Sequence, residues 1–475
     1  MQYFKILRRA TVLQTTTFEI RSRVDLENLE EKTLAPYAQK SRDAYHTRLH
    51  EEPQHPYRTA FQRDRDRIIH SRAFRRLKHK RQVFLISESD HYRTRITHTL
   101  EVSQLSRTMA RALGLNEDLV EAIALGHDLG HTPFGHLGEK TLHAIMSGAM
   151  PLRGLKNNSN FGGFKHNYQS LRVVDYLERK YTFKGLNLTA PVREGILKHT
   201  RLLRGTYDYP DFRYDGLHFE LDHATTLEGQ VVAICDEIAQ RTHDLEDGIR
   251  AGLVELKKVK TLKIVKDTEK KLHIDYLYTQ DEYVYLGLLI RALINVLVDD
   301  VIQQTLKNLQ SFQKRKGRLH NFDEEIVTFS PDIDPLQKEL NKFIYQEIIR
   351  FSRINWADDL AEKLLFRLFE AYFNEPTLLP DYVLERYFQE KNQTFTKQIF
   401  NSENILMTLQ NDTRFLRTIC DYIAGMTDNF ALYEAERLAR LKKIEASDLH
   451  LEVATAKYTK FAGTEASIPT KENMA

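Results

Sequence analysis

Several features that mark whole classes of protein are scarce in this sequence. Its 475 residues include only two cysteines and one tryptophan. Cys235 and Cys420 lie far apart inside apolar stretches, which argues against a disulfide framework and a thiolate zinc site and fits a reducing compartment. Neither sign of charge is in excess, since 69 basic residues face 66 acidic ones and the net charge is +3. The overall charge therefore predicts neither a nucleic-acid nor a membrane partner.

Long hydrophobic runs are also missing. The N-terminal sequence MQYFKILRRATVLQTTT has no apolar core of the kind that a secretory signal needs, and no run approaches the length of a membrane span. We therefore expect a cytoplasmic protein with no membrane partner. A hydrophobic fraction of 41% over this length predicts a globular protein with one large domain or about two to three ordinary ones.

One short span, in contrast, is dense in polar side chains. Residues 127–139 read HDLGHTPFGHLGE and bring together three histidines, an aspartate and a glutamate, interrupted by three glycines and a proline. Histidine and carboxylate side chains bind divalent metals and transfer protons near neutral pH. Glycine and proline turn the backbone sharply, so neighbouring polar groups can converge. The span predicts the floor of an active site.

The helices around this span are expected to direct further polar groups toward it. In RTRITHTLEVSQLSRTMARALG, steps of four, three and four residues define one helix face, made of His98, Val102, Leu105 and Met109. A single inward histidine is usually a hydrogen-bonded core residue, but further metal-binding side chains are expected beside His98. The next helix, which Asn116 can cap, brings His127 and Asp128 to its inner end, so that one turn supplies two metal ligands.

A pair suited to proton transfer follows on the next helix. His136 and Glu139 stand three residues apart in GHLGEKTLHAIM and share a helix face, where the glutamate can fix the tautomer of the histidine and raise its basicity. An ordinary surface pair is the alternative interpretation. The polar segment of residues 147–164 then forms either a lid or a long loop and leads to His166 on a new helix.

A distant helix must supply the opposite wall of the site. The segment EGQVVAICDEIAQRTHDLEDG predicts a helix with one polar stripe, made of Asp236, Gln240, His243, Asp244 and Asp247. Asp236 stands among apolar neighbours, where a carboxylate is costly unless it is paired or bound to metal. We expect Asp247 to face water.

Nine lysines and arginines are concentrated in residues 63–81, which read RDRDRIIHSRAFRRLKHKR. Such a run is usually a solvated helix face. The alternative is a wall that faces phosphate groups, which leaves a single-stranded nucleic-acid partner open.

Together these segments resemble the HD-domain superfamily and, within it, the bacterial deoxyguanosinetriphosphate triphosphohydrolase family. The resemblance rests on six ordered segments: RTRITHTLEVSQ, HDLGHTPFGHLGE, FKHNYQSLRVV, VREGILKHT, DEIAQRTHDLEDG and DYIAGMTDNFAL. A lone His-Asp pair is a weak signal, whereas six segments in this order are specific. The resemblance implies an all-α fold, with an HD-domain helical core and an additional C-terminal helical region.

The resemblance also implies a role for individual residues. Metal ligands are implied at His98, His127, Asp128 and Asp236. Catalytic groups are implied at His136, Glu139 and His166. Contacts with substrate are implied at Arg95, Gln240 and Asp244, of which Arg95 meets phosphate and Asp244 meets the sugar 3′-hydroxyl in relatives. Close relatives usually carry Tyr at position 240, Thr at position 81 and a Trp where this chain reads TAPVREGI, so the base preference does not carry over.

The implied reaction is the metal-dependent hydrolysis of deoxynucleoside triphosphates, dGTP and other dNTPs, to deoxynucleoside and tripolyphosphate. Two imidazoles and two carboxylates suit one divalent ion per site, Mn²⁺, Mg²⁺, Fe²⁺, Co²⁺ or Zn²⁺. A water oriented by His136 and Glu139 would attack the α-phosphorus, and His166 would protonate the leaving 5′-oxygen. The family also implies a homo-oligomer packed through its C-terminal helices and leaves a nucleotide effector open.

Four regions are expected along the chain. They are an N-terminal arm over residues 1–60, the HD-domain catalytic core over residues 61–252, a C-terminal helical region over residues 253–446 and a disordered tail over residues 447–475. In the third region, long amphipathic patterns predict packing helices, with Pro376 and Pro380 as breaks.

Three other functions compete with this one. Another HD phosphohydrolase, such as a nucleotide phosphatase or a cyclic-nucleotide phosphodiesterase, would share the four ligands without needing His136 and Glu139 in this setting. A non-catalytic nucleotide or nucleic-acid sensor would not need a complete set of ligands and proton-transfer groups. A helical scaffold is least favoured, because buried carboxylates and histidines are an expensive way to build a core.

Overall fold

The protein is described here by a computed structural model. It describes residues 20–81, 93–153, 155, 160–202, 217, 221–274, 277–278, 280–350, 352–401 and 404–441. Within these residues the chain is helical, and the extended segments pair only in two isolated bridges, Arg81 with Thr94 and Arg179 with Gly185. The predicted all-α fold is confirmed. The predicted tail over residues 447–475 lies outside the described residues.

Nineteen α-helices occur in the part of the chain that is described. In chain order they are α1 (Arg23–Thr33), α2 (Ser41–Ala44), α3 (Ala60–Ile69), α4 (Arg72–Arg76), α5 (Arg95–Leu113), α6 (Glu117–Gly126), α7 (His136–Met146), α8 (His166–Arg172), α9 (Ala190–Leu197), α10 (Leu227–Arg250), α11 (Leu256–Val259), α12 (Lys263–Leu272), α13 (Glu282–Lys316), α14 (Asp334–Ile344), α15 (Ser352–Asn374), α16 (Asp381–Glu390), α17 (Ile405–Gln410), α18 (Thr413–Ala424) and α19 (Asp428–Leu441).

Local sequence sets the helix ends that matter for the site. Gly114 closes α5 with φ of 69°, a left-handed conformation that glycine adopts without strain. Two residues later the Asn116 side chain accepts a hydrogen bond of 3.2 Å from the Leu119 amide and so caps α6. Both ends were predicted from the sequence. Together they turn the chain tightly, so that α5 and α6 run side by side and present His98 and His127 to the same space.

The first hydrophobic core surrounds α6, which packs against α3, α5, α9 and α10. Leu119 and Ile123 on α6 are fully buried, as are Val102 and Met109 on α5 and Val231 on α10. This core continues through α12, α13 and α14. Because α5, α6 and α10 meet in one closely packed layer, polar side chains placed at their contact are held rigidly.

The second hydrophobic core is built by α7 and the C-terminal helices. Leu142 on α7 packs with Phe369 on α15 and Ile419 on α18, and α19 closes the cluster. The helix that carries His136 and Glu139 therefore belongs to the second core, although it follows directly on the first in sequence. The predicted region boundaries at residues 60, 252 and 446 stay predictions.

A buried ion pair joins the two cores. Arg172, at the end of α8, donates from Nε and Nη2 to the Asp421 carboxylate on α18 over 2.9 to 3.0 Å. Both side chains are almost fully buried. Burial alone would raise the pKa of Asp421, but Arg172 and Arg386 outweigh it and hold that pKa below its ordinary value. The carboxylate is therefore charged at neutral pH and fixes α18 against α8.

Among the described residues, no helix combines the length and the apolar composition that crossing a membrane requires.

Candidate metal centre and active site

Four side chains converge at the first core: one from α5, one from α10 and two from the turn that follows α6. His98 Nε2 lies 2.9 Å from Asp236 Oδ1. His127 Nε2 lies 3.4 Å from Asp128 Oδ1 and 3.6 Å from Asp236 Oδ1. All four residues are buried, and ligand atoms of His98, His127 and Asp128 lie within 4.8 Å of one another. The four side chains that the sequence predicts as metal ligands are thus brought together; their binding to metal stays a prediction.

His127 shows why this cluster fits a divalent cation. Its Nδ1 lies 2.6 Å from the Ala124 carbonyl oxygen, which accepts the proton of that nitrogen. Its Nε2 is buried and has no hydrogen-bond partner. A buried Nε2 that faces two carboxylates without a hydrogen-bond partner is the arrangement of a metal-binding imidazole, in which a carbonyl on the other nitrogen fixes the tautomer.

The pKa values of the cluster also favour a divalent cation at this place. Burial alone would lower the pKa of His127, but Asp128 and Asp236 outweigh it and raise that pKa to about 9. The pKa values of Asp128 and Asp236 are held well below the ordinary range by the histidines, and for Asp128 also by Arg95, although burial opposes this shift. The pocket thus holds two buried carboxylates that call for positive charge, which a divalent cation between them would supply.

The turn after His127 is held in place by the helix that follows the loop. Gly130 donates a hydrogen bond of 2.8 Å to the Ser170 hydroxyl, which itself donates over 2.7 Å to the His127 carbonyl. A Cβ at Gly130 would lie 2.1 Å from the Ser170 amide nitrogen, so only glycine allows this approach. The loop beyond it is anchored by Asp428, whose carboxylate accepts from the Phe134 and Arg81 amides over 2.9 and 3.0 Å.

A second polar cluster adjoins the metal pocket. His131 Nε2 lies 2.9 Å from Asp128 Oδ1, and the His131 ring stacks on that of His166 at a centroid distance of 3.9 Å. His166 Nδ1 lies 2.5 Å from Glu139 Oε2, while its Nε2 lies 3.1 Å from Nε2 of His199. Asp128, His131 and His166 form another group with the spacing of metal ligands. The site therefore continues from the carboxylate of Asp128 into a row of stacked imidazoles.

Glu139 has a different partner from the one that the sequence suggests. No hydrogen bond joins it to His136; it accepts instead from His166 and, over 2.6 Å, from the Lys165 ammonium. α7 thus directs the glutamate toward α8, and a role for Glu139 in orienting His136 stays a prediction. His136 lies at the start of α7 and is reachable by solvent. Desolvation by neighbouring protein groups lowers the pKa of His136, against the opposing charge of Glu139, so its ring is neutral at pH 7.

The three predicted substrate contacts lie around the metal pocket. Arg95 is buried and donates to Asp128 Oδ2 over 2.7 Å, while its Nε has no partner. Gln240 is half-buried one turn after Asp236 and makes no hydrogen bond with the described residues. Asp244 is buried, and burial together with Asp247 raises its pKa to about 8. Asp244 is therefore mainly protonated at neutral pH and can donate a hydrogen bond as well as accept one.

One expectation about the polar stripe of α10 is wrong. Asp247 does not face water; its exposure is 7%, and it accepts from Arg93 over 2.7 Å. Glu246 accepts from the same guanidinium over 2.7 Å. Arg93 precedes α5, so its position beside α10 depends on the packing of α5 on α10 and is not visible in the helical pattern.

The basic segment of residues 63–81 is divided between the surface and the interior. Arg67, Lys80 and Arg81 are buried and donate to protein carbonyl groups. Burial, assisted by Arg76, lowers the pKa of Lys80 to about 7. Arg72 and Arg75 are exposed. The segment is thus neither a uniform solvated face nor a continuous phosphate-facing wall.

Two histidines of the site carry no predicted role. His131 stands inside the motif at residues 127–139, three residues after Asp128, and this spacing is the signal that could have identified it. His199 is the second-last residue of the segment VREGILKHT, 33 residues after His166, and no local pattern marks it. Burial beside His127 and His166 lowers the pKa of His199 to about 3.

Comparison with protein families identifies the class of protein to which this site belongs. The family described as HD domain matches residues 95–241, which contain all four converging ligands. The family described as phosphohydrolase-associated domain matches residues 327–401 and 402–437. HD domains bind divalent metals, and the chain is an HD-domain phosphohydrolase.

Comparison with individual curated proteins identifies the family within this class. A deoxyguanosinetriphosphate triphosphohydrolase-like protein of Geobacter sulfurreducens is 39% identical over 415 residues, which cover 87% of this chain and 97% of the relative. Proteins of the same description from Brucella ovis and Bartonella quintana are each 40% identical; the matches cover 85% and 82% of this chain, and 95% and 92% of the relatives. The chain belongs to this family of deoxyguanosinetriphosphate triphosphohydrolase-like proteins.

Proposed function

We propose that the protein hydrolyses deoxynucleoside triphosphates, dGTP and other dNTPs, to deoxynucleoside and tripolyphosphate. The observation that carries the proposal is the contact between two clusters: a buried set of two imidazoles and two carboxylates shares Asp128 with a row of histidines that ends on Glu139. A cation pocket beside groups that transfer protons suits the hydrolysis of a phosphate ester.

The residues that would hold the metal are His98, His127, Asp128 and Asp236. One divalent cation bound there would supply Lewis-acid polarisation of a phosphoryl oxygen. Arg95 keeps Asp128 oriented by its 2.7 Å contact, and its guanidinium is assigned to a phosphate oxygen of the substrate. The guanidinium also balances negative charge that develops on the phosphoryl group during attack.

The contacts around His166 hold its ring in one orientation. His199 donates from Nδ1 to the Ile196 carbonyl over 2.7 Å, and its Nε2 lies 3.1 Å from Nε2 of His166. On the other side of the ring, Nδ1 of His166 lies 2.5 Å from the Glu139 carboxylate. These two contacts position His166 for the transfer of a proton.

In the proposed reaction, His136 and Glu139 have separate tasks. The neutral ring of His136 accepts a proton from the attacking water as oxygen adds to the α-phosphorus. The bond between that phosphorus and the 5′-oxygen breaks, and His166 gives a proton to the departing oxygen. The products are the deoxynucleoside and tripolyphosphate. Glu139 acts by keeping His166 in position.

Recognition of the sugar is assigned to Asp244 and Gln240. Asp244 is buried beside the ligand pocket and protonated at neutral pH, so it can both donate to and accept from a 3′-hydroxyl. Gln240 stands one turn beyond Asp236, with its amide free to meet the nucleotide. An amide in place of the tyrosine that close relatives usually carry offers hydrogen bonds where a ring would offer stacking.

The test is an analysis of products. The purified protein, loaded in turn with Mn²⁺, Mg²⁺, Fe²⁺, Co²⁺ and Zn²⁺, is incubated with each dNTP and with mixtures, and the products are separated by anion exchange. Deoxynucleoside and tripolyphosphate in equal amounts are expected. Orthophosphate or pyrophosphate as the first product, or no turnover with metal bound, would favour another HD phosphohydrolase or a sensor.

We also propose that the protein forms homo-oligomers. Large apolar side chains stay exposed on the C-terminal helices, among them Tyr283 at 71% and Tyr433 at 60%. Such side chains suit contacts between subunits. Light scattering coupled to gel filtration, with and without dNTPs, tests the assembly and its dependence on a nucleotide; a single monomer mass under all conditions would contradict the assembly.

A further inference from the structure

One polar contact beside the metal pocket has no role in the reaction proposed above. His243 on α10 is 3% exposed and lies between two residues of α5. Its Nδ1 is 3.4 Å from Nδ1 of His98, at the long end of hydrogen bonding. On its other side, Nε2 is in contact with the Glu101 carboxylate. No further partner of His243 exists among the described residues.

The directions of these hydrogen bonds determine which nitrogen of His98 is free. A carboxylate accepts, so Nε2 of His243 carries the proton and Nδ1 of a neutral His243 ring accepts. With a metal on Nε2 of His98, in place of the proton that now faces Asp236 over 2.9 Å, the one remaining ring proton lies on Nδ1. His243 Nδ1 is placed to accept that proton.

Helix geometry explains why this chain of contacts is built at this place. Glu101 follows His98 by three residues on α5, and His243 follows Asp236 by seven on α10, so each pair lies on one helix face. The contacts His98 with Asp236 and Glu101 with His243 therefore form two successive cross-links between the same two helices. Their spacing fixes the distance between two of the proposed ligands.

We propose that Glu101 and His243 are positioning residues, which hold the tautomer and the ring orientation of His98 and thereby set the affinity of the pocket for its metal. The inference rests on the proposed metal site but not on the nature of the substrate. Glu101 also lies 3.5 Å from Arg93, which is tied to Asp247, so the carboxylate has a fixed position.

The experiment measures metal affinity without any nucleotide. Apoprotein is titrated with Mn²⁺ and with Co²⁺ in competition with a chromophoric chelator, and the visible absorption of the Co²⁺ form reports the ligand geometry. His243→Leu keeps the volume of the side chain but removes both hydrogen bonds, and we expect the affinity to fall about 10- to 100-fold. Glu101→Gln, which keeps an accepting oxygen, should lose less than Glu101→Ala.

Gln104→Ala is the matched control. Gln104 lies on α5 one turn from Glu101, and both side chains line a surface cavity together with His243. Among the described residues, the Gln104 side chain bonds only to Thr108. The metal affinity of the variant should equal that of the wild type. Circular dichroism and thermal melting of each apoprotein show whether a variant is folded.

The outcomes are distinct from those of the proposed function. A folded His243→Leu protein with unchanged affinity and Co²⁺ spectrum would overturn the inference, even if dNTP hydrolysis were established. If His243→Leu fails to fold, the metal affinity of Glu101→Ala tests the inference instead. The Glu101 side chain is partly exposed and can be removed without leaving a buried charge. Unchanged metal affinity in that variant overturns the inference. With saturating metal, kcat should recover in both variants, which a residue acting on the substrate would not allow.

Discussion

The metal pocket and the Glu139–His166 pair stand side by side but are supported differently. His98, His127 and Asp236 come from α5, α6 and α10, which all belong to the first hydrophobic core. Glu139 comes from α7 in the second core, whereas His166 comes from α8, which packs on the first. The metal pocket therefore depends on one core, and the proton-transfer pair depends on how the two cores meet.

A change in the metal pocket is expected to abolish metal binding. Asp128→Asn keeps the size of the side chain but removes charge from both polar clusters at once. We expect metal binding to be lost and turnover to fall by about 10³-fold or more, since several kcal/mol of charge stabilisation disappear. Metal content by plasma mass spectrometry and product release are measured together. Full metal occupancy with normal turnover would contradict the assignment.

A change in the proton-transfer pair should separate binding from catalysis. Glu139→Gln removes the negative charge that contacts His166 and leaves the metal pocket intact. The expected result is unchanged metal content with kcat lower by about 10²- to 10³-fold. Lys165→Met, which removes the other partner of Glu139 and keeps the carboxylate, is the control and should lose much less. Loss of metal in Glu139→Gln would show that the two regions are not independent.

The contact between the cores can be broken away from the site. Asp421→Ala leaves Arg172 buried without its counter-charge, and we expect unfolding in denaturant to require about 3 kcal/mol less. Arg386→Ala, which removes a more exposed partner 3.5 Å from the same carboxylate, should cost under about 1 kcal/mol. Equal effects of the two changes would contradict a buried link at this place.

Lys80 connects the same two regions through the His131 and Ala424 carbonyls. Its folded-state pKa of about 7 lies below the ordinary 10.5, so between these values the unfolded chain binds more protons than the folded one. Stability should therefore rise with pH in this window, by about 1 kcal/mol between pH 7 and 8. Denaturant titrations of wild type and Lys80→Met check the difference, which vanishes if Lys80 titrates normally.

The smallest expected effect concerns the choice of base. Gln240→Tyr restores the residue that close relatives usually carry next to the sugar. We expect the ratios of kcat/KM among the four dNTPs to change by about tenfold, with metal content unchanged. Identical ratios in both proteins would remove Gln240 from the substrate contacts.

The same comparison explains how far the sequence could predict the site. Helical spacing around His98 and the position of His127 at a helix end predicted both inward directions, because one core face determines them. The contact between Glu139 and His166 spans 27 residues and depends on the packing of α7 against C-terminal helices, which no local pattern contains. Asp247 was placed in water for the same reason, since its partner Arg93 lies 154 residues away.

The most direct test of the account follows the oxygen of the attacking water. The metal-loaded protein hydrolyses dGTP in water enriched in ¹⁸O, and the products are weighed by mass spectrometry. Attack on the α-phosphorus with protonation of the 5′-oxygen by His166 predicts one ¹⁸O atom in tripolyphosphate and none in deoxyguanosine. Label in the deoxyguanosine, or in orthophosphate released from the γ-position, would contradict it.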